Sequence, residues 1–425
     1  MSAITIRNAR VVDPASGRDE LASLRVENGL IAEIGEGIAQ DEDHIIDAGG
    51  AILAPALIDL RTAIEPAFTP GGETLDSLAR AAVTSGIGTM VISPTRDMPM
   101  DQPEAITSLR AAALPLPVRA LFCGGATMGL AGETLSELGL MAACGAAFVS
   151  QGDCPITDTV TLRNLLSYAS GFELWVACPP RDSGLSRQTV ATESEAAARL
   201  GLATEPAVSE RMAIDRDASL AELTGARLMI DRVSTRDGVE AISRARKRGI
   251  EICATASIAS LVLNAVDADG LDPAFRLSPP LRHEEDRQAL VAAIENGIIN
   301  AVVSDHRPMD LDRKAQPFSD AASGSISIET LLAAMLGLVH EEELDLVSAL
   351  RPLTIGPAEL LGLPQGRLET GAPADLVLID GDAPWVFDAG NSVSARRNSA
   401  WHNRRFQGRV LMTMVDGGIV YNLKG

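Results

Sequence analysis

The 425-residue chain predicts an α/β protein, a (β/α)8 TIM barrel carrying a small β-sandwich domain formed by both chain ends. Two observations lead there. Short, continuous apolar runs alternate with helical patterns through the middle of the chain, as parallel strands buried on both faces require. Both ends instead show two-residue alternation broken by turn signals, the pattern of antiparallel strands with one wet face. The expected division is 1–52 plus 366–425 for the β domain and 53–365 for the barrel.

The elements follow in order. ITIRNARVVD alternates, and SLRVENGLIAEIG carries Asn28-Gly29 between two alternating runs, a hairpin signal. Eight candidate barrel strands come next, at 53–59, 88–93, 117–122, 147–150, 173–177, 226–231, 250–255 and 300–304. Helical stretches separate them, among them ETLDSLARAAVTSG, SERMAIDRDASLAELTG and EEDRQALVAAIENG; several end in Gly, which suits a left-handed cap. The last segment returns to alternation in ADLVLIDGD and RVLMTMVDGGIVYN, with Asp416-Gly417-Gly418 as the turn. The two β-rich ends are expected to meet, since chain ends often lie close together. A doubly wound open sheet is the competing topology. It would want a glycine-rich phosphate turn after an early strand. GGATMG at 124–129 lacks that spacing and reads as a loop.

Composition narrows the function. Hydrophobic residues make up 46% and aromatic residues 3%, so the core must be built from Ala, Val, Ile and Leu. A net charge of −21 argues against nucleic acid and against an acidic membrane surface as partners. No window approaches the roughly 18 apolar residues of a membrane span. MSAITIRNARVVD lacks the basic start and apolar stretch of a signal peptide. Cys123, Cys144, Cys154, Cys178 and Cys253 form no CxxC pair and read as reduced, buried thiols of a cytoplasmic protein. The basic run SARRNSAWHNRR, spanning Arg396 to Arg405, reads as an exposed loop pairing with local carboxylates.

Four segments in order resemble the dihydroorotases of the cyclic amidohydrolase superfamily. They are LAPALIDLRTAIEPAFTPGGET (53–74), GLATEPAVSERMAIDRDASLAELTGARLMIDRVST (201–235), FRLSPPLRHEEDRQALVAAIENGIINAVVSDHRPMD (275–310) and GRLETGAPADLVLID (366–380). The resemblance spans nearly the whole chain and implies the amidohydrolase type of barrel. It also implies one or two zinc ions, which lower the pKa of a bound water and polarise the ring amide, with an Asp after strand eight handling the proton.

The residues at those positions depart from the family pattern. The chain has five histidines, His44, His283, His306, His340 and His402. The HxH pair of strand one falls on Arg61 and Ala63, the strand-four ligand near Ser150 and Gln151, and the strand-five histidine on Ala177 or Cys178. The strand-six histidine falls on Arg232, and the Pro-His-His after strand seven on Ile258, Ala259 and Ser260. Asp305 and His306 stay in place. The arginine that grips the substrate carboxylate falls on Glu65, which would repel it, and the asparagine of a Pro-Asn-Thr motif falls on Thr95.

A guanidinium neither deprotonates nor binds metal. Held about 4 Å from a divalent ion, it costs on the order of 8 kcal/mol at an effective dielectric of about 20. No zinc or other cofactor is therefore expected. Arg61 and Arg232 are expected to fill the metal site, paired with Asp231 and Asp305, the latter a vestigial catalytic residue. Arg61, Glu65, Thr95, Arg232 and His306 are expected to line the old substrate pocket, and Asp97, Asp153 and Glu329 are given no catalytic role.

The resemblance is strongest to inactive dihydroorotase-like chains that associate with aspartate carbamoyltransferase in pyrimidine biosynthesis, and a homodimer is compatible with such barrels. The alternatives are a dihydroorotase or other cyclic amidohydrolase with an atypical metal site built on Asp305, Cys178 and His306, and a small-molecule sensor using the old pocket.

Overall fold

The computed structural model describes residues 3–423. Eight parallel strands close a barrel: Leu57–Thr62, Ile87–Ile92, Arg119–Phe122 continued by Gly124–Gly125, Val149–Ser150, Trp175–Cys178, Arg227–Ile230, Ile252–Ser257 and Ala301–Val303. They are strands one to eight below, each paired with the next in parallel register. The seam between strands eight and one is closed where the Ala63 N–H donates to the His306 carbonyl at 3.0 Å. Every residue of strands one, two and seven is buried. Ile58, Leu60, Val91, Met229, Cys253 and Val303 share one core, while Met90, Ile92, Val176, Leu228 and Ile230 join the larger core with the outer helices.

The outer helices start and stop on local chemistry. Thr74 caps Leu75–Thr84 through a capping box with Ser77, and Thr235 caps Arg236–Lys247 by accepting from the Gly238 N–H. Val208–Thr224 ends on Gly225 at φ 67°, where a side chain would be strained. Among the described residues no helix is long and apolar enough to cross a membrane.

Strands from both ends form one hydrogen-bonded sheet, in which Ile52–Pro55 joins Ile4–Asp13 on one side to Leu376–Val386 on the other. Ile6, Val11, Leu24, Leu53, Leu376 and Met414 give it a core of its own. The expected strand 53–59 is thus two strands with different partners. The Ala56 N–H donates to Asp375 in the end sheet, whereas the Leu57 N–H donates to Gly86 beside strand two. Hydrogen-bonding partners change at Ala56 rather than at the 52/53 boundary, and a continuous apolar run conceals that change.

Two further expectations need correction. Gly124–Gly125 is not loop but the end of strand three. The Gly125 N–H donates to Met100, and a Cβ there would lie 2.2 Å from the Pro99 carbonyl oxygen. Of the cysteines, Cys123, Cys178 and Cys253 are buried, but Cys144 and Cys154 are partly exposed, because both lie in loops that follow a helix or strand end.

The close approach at Gly125 sets a test. Gly125→Ala must push the 95–101 loop off strand three, so urea unfolding is expected to show a loss of about 1–3 kcal/mol. An unchanged midpoint would contradict the packing described.

Candidate functional site at the barrel mouth

Six charged side chains converge at the carboxyl ends of the strands, the face where barrels of this kind carry their chemistry. Arg61, at the end of strand one, is a three-way bridge. Its Nε donates to Asp305 at 2.9 Å, one terminal nitrogen to Asp231 at 2.5 Å and the other to Asp153 at 2.8 Å. Arg232, just past strand six, donates to Asp153 at 2.6 Å and to both oxygens of Asp305 at 3.2 Å, and its Nε lies 3.6 Å from Asp231. It also donates to the Ser278 carbonyl at 2.6 Å. Arg307, two residues after Asp305, completes the set by pairing with Asp153. Three guanidiniums face three carboxylates, so the formal charge cancels.

Burial of Arg232 disfavours its charge, but Asp305 and Asp231 more than offset this and hold its pKa above the ordinary value. Both Arg232 (φ 66°) and Asp305 (φ 50°) adopt the left-handed conformation. That geometry costs a non-glycine residue about 1–3 kcal/mol, and it persists only where surroundings impose it. For Arg232 the surroundings include Glu210, whose buried carboxylate accepts from the backbone N–H and hydroxyl of both Ser234 and Thr235.

Zinc needs three or four deprotonated N, O or S donors at roughly 2.0–2.3 Å. The donor set here does not fit. Arg61 and Arg232 lie among the aspartates, Asp305 has both oxygens engaged, and burial raises the Cys178 thiol well above its usual range. Among the described residues no group of three or more His, Cys, Asp or Glu side chains could hold a metal ion.

The other expected pocket residues lie outside this cluster. Glu65 does not stand free to repel a ligand: its two oxygens accept from Arg396 at 2.7 and 2.8 Å. The Thr95 hydroxyl turns to its own loop and accepts from the Met98 N–H at 3.2 Å. His306 is 1% exposed, and its Nδ1 accepts from the Ser327 N–H at 3.2 Å. That bond puts the proton on Nε2, which faces Glu73 at 3.6 Å. Burial would raise the Glu73 carboxyl, but His306, Ser394 and Ser77 hold it below its ordinary value.

Glu73 and Glu65 together anchor a segment expected to be an exposed loop. Glu73 accepts from the Ser394 hydroxyl and the Ala395 N–H, Glu329 from the Val393 and Ser394 N–H groups, and Asn398 bonds Met309 and Arg307. Arg396 is 8% exposed and Trp401 fully buried. The run at 394–401 is therefore a strap across the barrel mouth; carboxylates on the first and eighth loops make its burial affordable. Beneath it, the cavity lined by Ser257, Ser278, Ser304, Asp305 and Arg307 measures about 10 Å³. That is room for about one water, where small-molecule sites run to roughly 300–1,000 Å³.

Sequence reasoning gave Asp153 no catalytic role without reading it as an ion-pair partner, and it did not single out Arg307. Both had a positional signal: Asp153 lies in the loop after strand four, and Arg307 follows Asp305 by two residues.

Two measurements probe this site. Arg61→Ala removes the shared partner of three aspartates and leaves buried Asp231 without a close ion pair, and is expected to cost about 3–5 kcal/mol in urea unfolding. A loss below about 1 kcal/mol would mean the cluster is not a structural unit. The second concerns Asp59, whose carboxyl accepts from the Arg61 and Ser304 N–H groups and is raised from 3.8 to about 6, chiefly by burial. The folded state therefore holds this proton more tightly than the unfolded chain, and stability falls as pH rises from about 4 through 6. Asp59→Asn removes that penalty, so its Tm relative to the parent is expected to improve as pH rises from about 4 to about 6. A flat or declining difference would refute the assignment.

Comparison with known proteins places the chain. A model of the amidohydrolase family matches residues 189–420. The dihydroorotase of Syntrophotalea carbinolica is 35% identical over 422 residues, covering 99% of each chain. The dihydroorotase of Anaeromyxobacter dehalogenans is also 35% identical, over 98% of this chain and 97% of its own. Among solved structures, the L-hydantoinase (dihydropyrimidinase) from Arthrobacter aurescens superposes with a TM-score of 0.89 at 24% identity, over 99% of this chain and 96% of that one. That likeness speaks for the fold, and the sequence matches for the lineage: the chain belongs to the amidohydrolase family, as a dihydroorotase-like member.

Proposed function

We propose that this chain is a non-catalytic dihydroorotase homologue of pyrimidine biosynthesis, acting in the cytoplasm as a structural partner of aspartate carbamoyltransferase. One observation carries the reading: Arg61 and Arg232, which the resemblance puts at two metal-ligand positions, lie among the aspartates, and Asp305 is bonded through both oxygens to Arg232. A carboxylate so engaged cannot take a proton from substrate without breaking an ion pair. The strap and the small cavity beneath it support the same reading. The partner rests on resemblance alone, and a scaffold role accounts for a retained fold without retained chemistry.

A second reading is favoured by the relatives, which carry the name dihydroorotase at 35% identity over the full chain. In that reading the chain hydrolyses a cyclic amide through an atypical site.

One experiment separates the two. The purified chain is assayed for bound zinc and for dihydroorotase activity, alone and after mixing with the aspartate carbamoyltransferase of the same organism. The expected result is no stoichiometric zinc, no dihydroorotase turnover by the isolated chain, and a co-sedimenting complex with altered carbamoyltransferase activity. Stoichiometric zinc with turnover establishes the second reading. Absence of both turnover and complex overturns the partnership.

A further inference from the structure

A groove of about 640 Å³ lies away from the barrel mouth, between the helix Leu331–His340 and the paired strands Leu376–Val386 and Arg405–Val415. Three independent features of this groove point to a ligand.

Aromatic residues are scarce, with 8 Phe, 3 Trp and 2 Tyr in the whole chain. Yet Trp385, Phe387, Trp401 and Phe406 gather beside this groove, with ring centroids 5.4–6.2 Å apart. Trp175 and Trp401 are buried, whereas Trp385 remains partly exposed in the wall. Phe387, Trp401 and Phe406 are buried behind it, so the groove wall offers the partly exposed Trp385 indole on a packed aromatic base.

Charge is the second feature. On a chain of net charge −21, the groove is lined by Arg404, Arg405 and one carboxylate, Glu341. Arg404 lies over the Trp401 ring at 5.7 Å, and among the described residues neither arginine makes an ion pair. Most other arginines here are spent on carboxylates, as Arg61, Arg232, Arg282, Arg287 and Arg396 are. Size is the third. The volume lies within the range of small-molecule sites, and the helix wall is open at Gly337, where a Cβ would meet nothing within 4 Å.

We propose that this groove binds a small anionic molecule with a planar aromatic ring, of nucleoside monophosphate size. The ring stacks on Trp385, and the anion meets Arg404 and Arg405. Neither half suffices by itself, since one stacking contact and one exposed ion pair are each weak. The site shares no residue with the charged cluster, so it stands whatever the barrel mouth does.

The test is titration of the full chain with uridine 5′-monophosphate and adenosine 5′-monophosphate, read by calorimetry and by quenching of Trp385 fluorescence. Uridine and inorganic phosphate serve as the separated halves. A Kd below about 1 mM for at least one nucleotide is expected, with each half at least about tenfold weaker. Gly337→Leu fills the groove at a helical position where leucine is the better helix former, so it keeps the fold and is expected to abolish binding. Arg405→Ala is expected to weaken the nucleotide and leave uridine unchanged. The proposal is overturned if neither nucleotide binds, if phosphate alone matches the nucleotide, or if Gly337→Leu binds like the parent. It is equally overturned if sedimentation shows a dimer whose formation, rather than ligand, quenches Trp385.

Discussion

Arg61 is the side chain on which the barrel mouth depends. A barrel of parallel strands sends its strand ends and their loops to one face, and here three of those loops bring aspartates to the same point. Three carboxylates brought to one buried point repel one another unless they share a cation. Arg61 supplies it from strand one, with a planar fork that reaches the loops after strands four, six and eight at once. Asp153 and Asp305 are then charged enough to hold Arg232, and Asp153 to hold Arg307. A divalent ion could neutralise such a face as well, but not beside these guanidiniums. Arginine and metal are alternative solutions to one electrostatic problem, and the sequence is committed to the first.

The consequences spread outward through geometry. Arg61 and Asp305 tie strand one to strand eight at the seam where the barrel closes, beside the backbone bond from Ala63 to His306. Held there, His306 orients by its Nδ1 and points Nε2 at Glu73. Glu73, kept ionised, accepts from the strap at Ser394 and Ala395, and Glu65 fixes the strap again through Arg396. Each contact would be weak on a wet surface. Buried in series, each leaves an unpaired charge if its neighbour is removed, so they stand or fall together.

Much of this was legible in the sequence, and the parts that were not have a common cause. Periodicity placed seven of the eight barrel strands within a few residues and brought the two chain ends together. It failed at 53–59, because an apolar run does not record a change of hydrogen-bonding partner at Ala56. The resemblance to dihydroorotases, with the charge of what stands at its positions, marked Arg61, Arg232, Asp231 and Asp305. It read Glu65 as a free carboxylate and Arg396 as a surface charge, although each is the other's partner across 331 residues. Local sequence carries propensity and pattern; a salt bridge between distant loops exists only once the fold has closed. Asp153, denied a catalytic role, went unread as an ion-pair partner for the same reason.

The likeness to dihydroorotases and the unlike site are compatible, because they live on different residues. Identity over the full chain is a statement about cores: alternating strands, capped helices and buried Ala, Val, Ile and Leu tolerate exchange so long as volume and pattern hold. The site is a handful of side chains at strand ends, where a guanidinium and an imidazole impose opposite charge logic on a cavity. The barrel does not depend on which stands there, because its interior layer of Ile58, Leu60, Val91, Met229 and Val303 is apolar and makes no call on a metal. Fold and lineage therefore follow from the core, and chemistry must be argued from the mouth, where arginines and aspartates already satisfy one another.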